Sequence, residues 1–245
     1  MVGRSQGLAE QPRTPVDFHG YRVTEQWTWA IAVAVAAALR RELQKNTRAR
    51  LLVSGGKTPV SVFRALAKAP LDWARVDIAL VDERWLRPDD PDSNAHLVRE
   101  HLLRGHAAAA RFETLTRAGR NIEEAVSDAN LHARQPADIV LLGMGDDGHT
   151  ASLFPRMRGL DHALDTSNAY VAVDATGCEG AGPWSRRISL TPAGLAPAHT
   201  RLLMIRGDDK RAVFDRALDG TDAHELPVRI AFTTPGAVLQ VYWCP

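Results

Sequence analysis

Asp147, Gly148 and His149 stand together in the run Leu141-Leu142-Gly143-Met144-Gly145-Asp146-Asp147-Gly148-His149-Thr150-Ala151-Ser152. A carboxylate two residues from an imidazole, with only glycine between, can orient the ring or hold its charge while the ring exchanges a proton with a substrate. Residues 139–142 are apolar without alternation, as in a parallel strand covered on both faces, and the three glycines that follow permit a tight exit at its carboxyl end. Ligands of open α/β sheets bind at such ends, so this turn is the predicted reactive centre. A lone histidine would be read as structural; the Gly-Asp-Gly-His setting reverses that reading.

Ser54-Gly55-Gly56-Lys57-Thr58-Pro59 follows another apolar run and opens a helix, with proline where its missing N–H does no harm. Backbone N–H groups, the hydroxyls of Ser54 and Thr58 and the helix dipole could together cradle a phosphate. The spacing is not that of a Walker A loop, and taken alone the two glycines are explained equally well as a chain turn. Val81-Asp82-Glu83-Arg84-Trp85 ends a third strand with two acids, a guanidinium and an indole. As an isolated tetrad it could be a surface ion pair under a tryptophan lid. Arg186-Arg187 and Lys210 add cations near strand ends; a guanidinium suits a phosphate monoester, whereas a solvated lysine is the plain reading of Lys210.

Short apolar runs alternating with helical patterns predict an α/β fold, Rossmann-like, with a mostly parallel sheet and helices on both faces. Strands are expected near 51–54, 76–81, 138–142, 170–173, 187–190 and 201–205, with 112–115 as a further candidate. Helices are expected at 58–68, 94–104, 121–134, 150–153, 192–196 and 208–218. The alanine-rich stretch 30–39 reads as a buried helix close to the sheet; it is about half the length of a membrane span and runs into Arg40, Arg41 and Glu42. Residues 1–15 read as a flexible tail and 16–245 as a single catalytic domain. No repeat is present, and 177–182 reads as a surface loop.

A formal net charge of +1 over 245 residues gives no basic face for nucleic acid or a membrane surface. Cys178 and Cys244 are too few for a disulfide framework, which with the lack of an export signal predicts a reducing cytoplasm. The histidines besides His149 read as surface residues; His19, His162, His199 and His224 are isolated in sequence, and no paired-cysteine or His-x-x-x-His motif predicts a metal site.

The ordered segments from about Gln26 to Leu218, above all the Gly-Asp-Gly-His turn, resemble the 6-phosphogluconolactonase family and, more distantly, glucosamine-6-phosphate deaminases. Residues 238–245 resemble the family's closing strand. The resemblance implies a sugar-phosphate isomerase/deaminase-like three-layer sandwich that opens 6-phospho-D-glucono-1,5-lactone to 6-phosphogluconate without a cofactor, as a monomer or weak dimer. It implies His149 as general base, Asp147 as its partner and Arg84 as a charge beside the lactone. Ser54, Gly55, Gly56, Thr58, Arg187 and Lys210 become the phosphate site, and Lys57, Asp82 and Asn94 auxiliary candidates, although capping alone explains the adjacent Ser93. In the deaminase pattern an acid stands five residues after the histidine; here that residue is Phe154, which favours the lactonase, while Asp82-Glu83 resembles the deaminase acidic pair and keeps that alternative. A non-catalytic sugar-phosphate sensor is the third reading, disfavoured because no DNA-reading module precedes the first strand.

Overall fold

The computed structural model describes residues 15–245; the tail expected over 1–15 lies, apart from Pro15, outside the described residues. The chain runs β1 (Val16–Gly20), α1 (Thr24–Lys45), β2 (Ala49–Val53), α2 (Val60–Leu66), β3 (Val76–Leu80) and β4 (Asp82–Arg84). It continues α3 (Asn94–His101), β5 (Arg111–Phe112), α4 (Ile122–His132), β6 (Ile139–Gly143), α5 (Leu160–Asp165) and β7 (Tyr170–Asp174). It closes with β8 (Arg186–Leu190), α6 (Pro192–Leu195), β9 (Thr200–Arg206), α7 (Asp208–Leu218), α8 (Ile230–Thr233) and β10 (Leu239–Cys244). Seven strands form a parallel sheet in the order β1-β10-β9-β6-β2-β3-β5. With its helices it makes the three-layer α/β architecture that the sequence predicts.

The central strands β2, β3 and β6 are buried along nearly their whole length, which accounts for their unbroken apolar runs. The helix expected at 30–39 is the middle of α1, and its buried residues Trp27, Ile31, Val35 and Leu39 recur at helical spacing on one face. Trp27 also donates its indole N–H to the carbonyl of Tyr242 at 3.0 Å, tying α1 to β10. Helix α4 begins at a capping box in which Asn121 and Glu124 satisfy each other's backbone N–H groups.

Three expectations are corrected. Strands β7 and β8 do not join the parallel sheet; with β4 they make a separate antiparallel sheet, and the alternating exposure of β7 is that of a strand with one face in solvent. Residues 150–153 form no helix. Thr150 donates its hydroxyl to Gly143 O at 2.8 Å, Ala151 takes φ 52°, outside the helical region, and Ser152 N–H bonds Ser189 Oγ, so a left-handed residue and a tertiary bond interrupt the segment. Strand β5 keeps only two residues of the expected 112–115 run. Strand β1, unread in the sequence, pairs in parallel with β10 at the sheet's edge, and the short helices α5 and α8 were likewise unexpected.

From β2 the chain proceeds outward to β3 and β5, and from β6 in the opposite direction to β9 and β10. The gap between the carboxyl ends of β2 and β6 is therefore the sheet's topological switch point, where a ligand crevice is expected. Ser54 staples it: its N–H and its hydroxyl both donate to Leu141 O, at 3.1 and 2.9 Å, and its Oγ accepts from Gly143 N–H at 3.1 Å. Ser54→Ala leaves the Gly143 N–H without its acceptor in a nearly closed site. The substitution should lower unfolding stability by about 1–3 kcal/mol, read by urea denaturation; a loss below about 0.5 kcal/mol would show that the staple is not needed.

Candidate active site

A cavity of about 830 Å³ opens at this switch point. Its walls come from the ends of β2, β6 and β9, from β4, and from the loop ahead of β8. It is lined by His149, Asp147, Arg84, Ser54, Gly55, Gly56, Thr58, Arg187 and Lys210, with Lys57, Asp82 and Asn94, but not by Glu83.

The turn after β6 brings His149 Nδ1 to 2.6 Å from Asp147 Oδ1, and the same oxygen accepts the His149 backbone N–H at 3.0 Å. Gly148, at φ +81°, supplies the backbone reversal that lets residues two apart face each other. Burial pushes the Asp147 carboxyl up, but the hydrogen bond from His149, the imidazole's charge and the backbone bonds outweigh it, so the carboxyl lies below its usual range and is ionised at neutral pH. With Nδ1 engaged by the carboxylate, Nε2 is left without a protein partner among the described residues. The imidazole rests against the fully buried Phe154, with ring centroids 4.4 Å apart.

The anion side of the cavity is built mostly from backbone. No hydrogen bond engages the amide N–H groups of Gly55, Gly56, Lys57 or Thr58 among the described residues. They form an open run of donors at the start of α2, as a phosphate cradle requires. Ser54 differs from the expectation: its only hydroxyl proton is committed to Leu141 O, so it shapes the loop and does not donate to an anion. Gly55 is required by packing, since a Cβ there would lie 1.8 Å from Asn94 Oδ1. Asn94 in turn donates to Asp82 O at 2.8 Å, so its part is to fix the cradle against β4.

Three cations border this cradle. Lys210 donates to Met144 O at 2.8 Å and lies 3.8 Å from Asp146, which holds its ammonium beside the catalytic turn. Arg187 is nearly buried and donates to Trp184 O at 2.8 Å, Ala181 O at 2.6 Å and Ser152 Oγ at 3.4 Å. Burial pulls its pKa down from the usual value, but an arginine starts so high that it stays charged. Its five N–H donors exceed these three acceptors, so donors remain for an anion. The guanidinium also lies 5.2 Å from the Phe154 ring, which places Arg187 and His149 against one aromatic side chain. Arg84 donates to Asp92 O, while its buried Nε has no partner. The residue itself lines the cavity, so its guanidinium puts a positive charge on that wall. Lys57 is exposed at the rim.

Behind the wall, Asp82 accepts from Ser152 Oγ at 2.6 Å and lies 3.8 Å from Arg187. Glu83 points away from the cavity and is completely buried, accepting the N–H groups of Arg84, Asn94 and Ala95, each at 2.8 Å. Burial pushes its pKa up to about 7 against those bonds. The sequence pair Asp82-Glu83 is therefore split, and its second member anchors the start of α3. Sequence reasoning missed Phe154 as a spacer, Ser152 as a link between Asp82 and Arg187, and the loop carrying Gly180 and Trp184. A Cβ at Gly180 would lie 2.4 Å from Asp147 Oδ2, and Trp184 Nε1 donates to Asp92 Oδ2 at 3.1 Å across the mouth. No local sequence signal marks these contacts, because they join segments that lie far apart in the chain.

Residues 23–243 match the family model described as glucosamine-6-phosphate isomerases/6-phosphogluconolactonase. A 6-phosphogluconolactonase of Xylella fastidiosa is 50% identical over 222 residues, covering 89% of this chain and 92% of its own. One from Pseudomonas aeruginosa is 42% identical over 223 residues, covering 88% and 89%. Among solved structures, a 6-phosphogluconolactonase from Shewanella baltica superposes with a TM-score of 0.85 at 33% identity, covering 94% of this chain and 98% of its own. The chain belongs to the glucosamine-6-phosphate isomerase/6-phosphogluconolactonase family.

Because Asp147 titrates below the usual carboxylate range, its pairing stabilises the fold above about pH 4 and is lost as pH falls through the lowered value. Asp147→Asn should therefore show a shallower loss of stability in acid than the parent, followed by thermal unfolding at stepped pH, together with a kcat lower by about 10²-fold or more. Identical acid profiles would contradict the pairing.

Proposed function

We propose that the chain hydrolyses 6-phospho-D-glucono-1,5-lactone to 6-phosphogluconate, a step of the oxidative pentose phosphate pathway. One observation carries the reading: a carboxylate-backed imidazole, with its Nε2 free of partners among the described residues, shares a single cavity with an amide cradle and four cations, Lys57, Arg84, Arg187 and Lys210. The phosphate would sit on the amides of 55–58, met by Arg187 and Lys210. Holding the remote end of the sugar turns binding into orientation of the carbonyl toward His149.

His149 Nε2 takes a proton from water as the hydroxide adds to the lactone carbonyl, and Asp147 stabilises the resulting imidazolium. Arg84, on the cavity wall, places a fixed positive charge near the carbonyl oxygen as it becomes an oxyanion. Collapse of the tetrahedral adduct breaks the bond to the ring oxygen, which takes the proton back from the imidazolium. All atoms come from substrate, water and the chain, so no cofactor enters these steps. Both sheets contribute groups to these steps, which supports reading 16–245 as one catalytic domain, acting as a monomer or weak dimer. Among the described residues no helix is long and apolar enough to cross a membrane; free Cys178 and Cys244 fit a reducing cytoplasm.

The deaminase alternative would need an acid near the histidine. Phe154 occupies that place, and Glu83 is turned into the fold. Rapid kinetics on freshly generated lactone, corrected for spontaneous opening, tests the proposal. His149→Ala should lower kcat by about 10²–10⁴-fold and keep most of the affinity for 6-phosphogluconate, whereas Arg187→Ala should chiefly raise KM. Ammonia release from glucosamine 6-phosphate faster than lactone hydrolysis, or unchanged turnover in His149→Ala, would overturn it.

A further inference from the structure

Asp138 and His199 are the residues immediately before β6 and β9, at the edge of the sheet opposite the catalytic cavity. A five-residue strand such as β6 puts the two edges roughly 17 Å apart. Glu42, in the last turn of α1, reaches the same place. His199 Nδ1 lies 3.3 Å from Glu42 Oε2 and 3.6 Å from Asp138 Oδ1, and the three atoms fall within 4.8 Å of one another. Ligand atoms around a tetrahedral zinc, with bonds of about 2.0–2.2 Å, are separated by about 3.3–3.6 Å.

The contacts themselves are poor as hydrogen bonds: the His199 ring makes none among the described residues. Glu42 has a side chain only 6% exposed, and among the described residues its carboxylate accepts one hydrogen bond, a long one from Asn46 Nδ2 at 3.4 Å. A carboxylate so far removed from water normally has a strong donor or a cation beside it. No arginine or lysine forms an ion pair with Glu42 among the described residues, and Arg50, whose backbone N–H reaches Asp138, is drawn by its guanidinium to Glu113 at 2.6 Å.

We propose that Glu42, Asp138 and His199 bind one divalent transition-metal ion of the zinc type, with the fourth position open to water. The imidazole nitrogen favours zinc over calcium or magnesium, which take oxygen ligands. Orientation is built in. Asp138 Oδ2 accepts the Arg50 backbone N–H at 2.7 Å, while Asp138 O accepts the N–H groups of His199 and Thr200 at 2.9 and 3.0 Å. The exposed His199, isolated in sequence, supplies the way in, and the bound ion would clamp the end of α1 to the starts of β6 and β9.

Titration of the full chain with Co²⁺, read as the visible absorption of tetrahedral cobalt and reversed by Zn²⁺, tests this directly. The parent and His149→Ala should each bind one equivalent. His199→Ala, an exposed substitution that leaves the fold and the lactone activity intact, should bind at least about tenfold more weakly, and Glu42→Gln should do the same. No tetrahedral signal in the parent, or a signal kept in His199→Ala and lost in His149→Ala, would overturn the site.

Discussion

The Asp147–His149 contact exists because glycine stands where any side chain would collide with it. A Cβ at Gly145 would lie 2.1 Å from His149 Nδ1, and one at Gly180 2.4 Å from Asp147 Oδ2. The carboxylate and imidazole are thus pressed between two stretches of bare backbone, one from their own turn and one from the loop ahead of β8. This confinement fixes which ring nitrogen is held and which is left for a substrate, and the rest of the cavity is arranged around that choice. Substituting either glycine would move the dyad before it altered anything else.

Around it, structural and ligand-facing duties fall on different atoms of the same residues. Arg187 gives three donors to the protein and keeps others in reserve, so the loop over Asp147 and the anion site share one guanidinium. Ser54 holds the sheet together at its switch point and leaves the amides beyond it open. Phe154 separates the His149 imidazole from the Arg187 guanidinium with a rigid apolar spacer. Rigid placement of this kind lets binding at one end of a substrate orient the other.

The parallel sheet and most of its elements were legible because buried strands write unbroken apolar runs and α1 writes a helical stripe. The candidate residues that share the cavity were legible because glycine, acid, imidazole and cations cluster at strand ends in short stretches of sequence. What could not be read depends on pairing between distant segments. The partners of β7 and β8, the tertiary bond that interrupts 150–153, and the inward turn of Glu83 leave no periodic trace. The same holds for Glu42, Asp138 and His199, which meet only because β6 and β9 are neighbours and α1 ends beside them.

The central claim is that one hexose phosphate spans from the amide cradle to the imidazole. A crystal structure with 6-phosphogluconate measures this directly. The account predicts the phosphate on the amides of 55–58 beside Arg187 and Lys210, with the C1 carboxylate within hydrogen-bond reach of His149 Nε2 and on the side of the cavity that carries Arg84. A sugar bound with its phosphate at His149, or with C1 directed away from that ring, would contradict it.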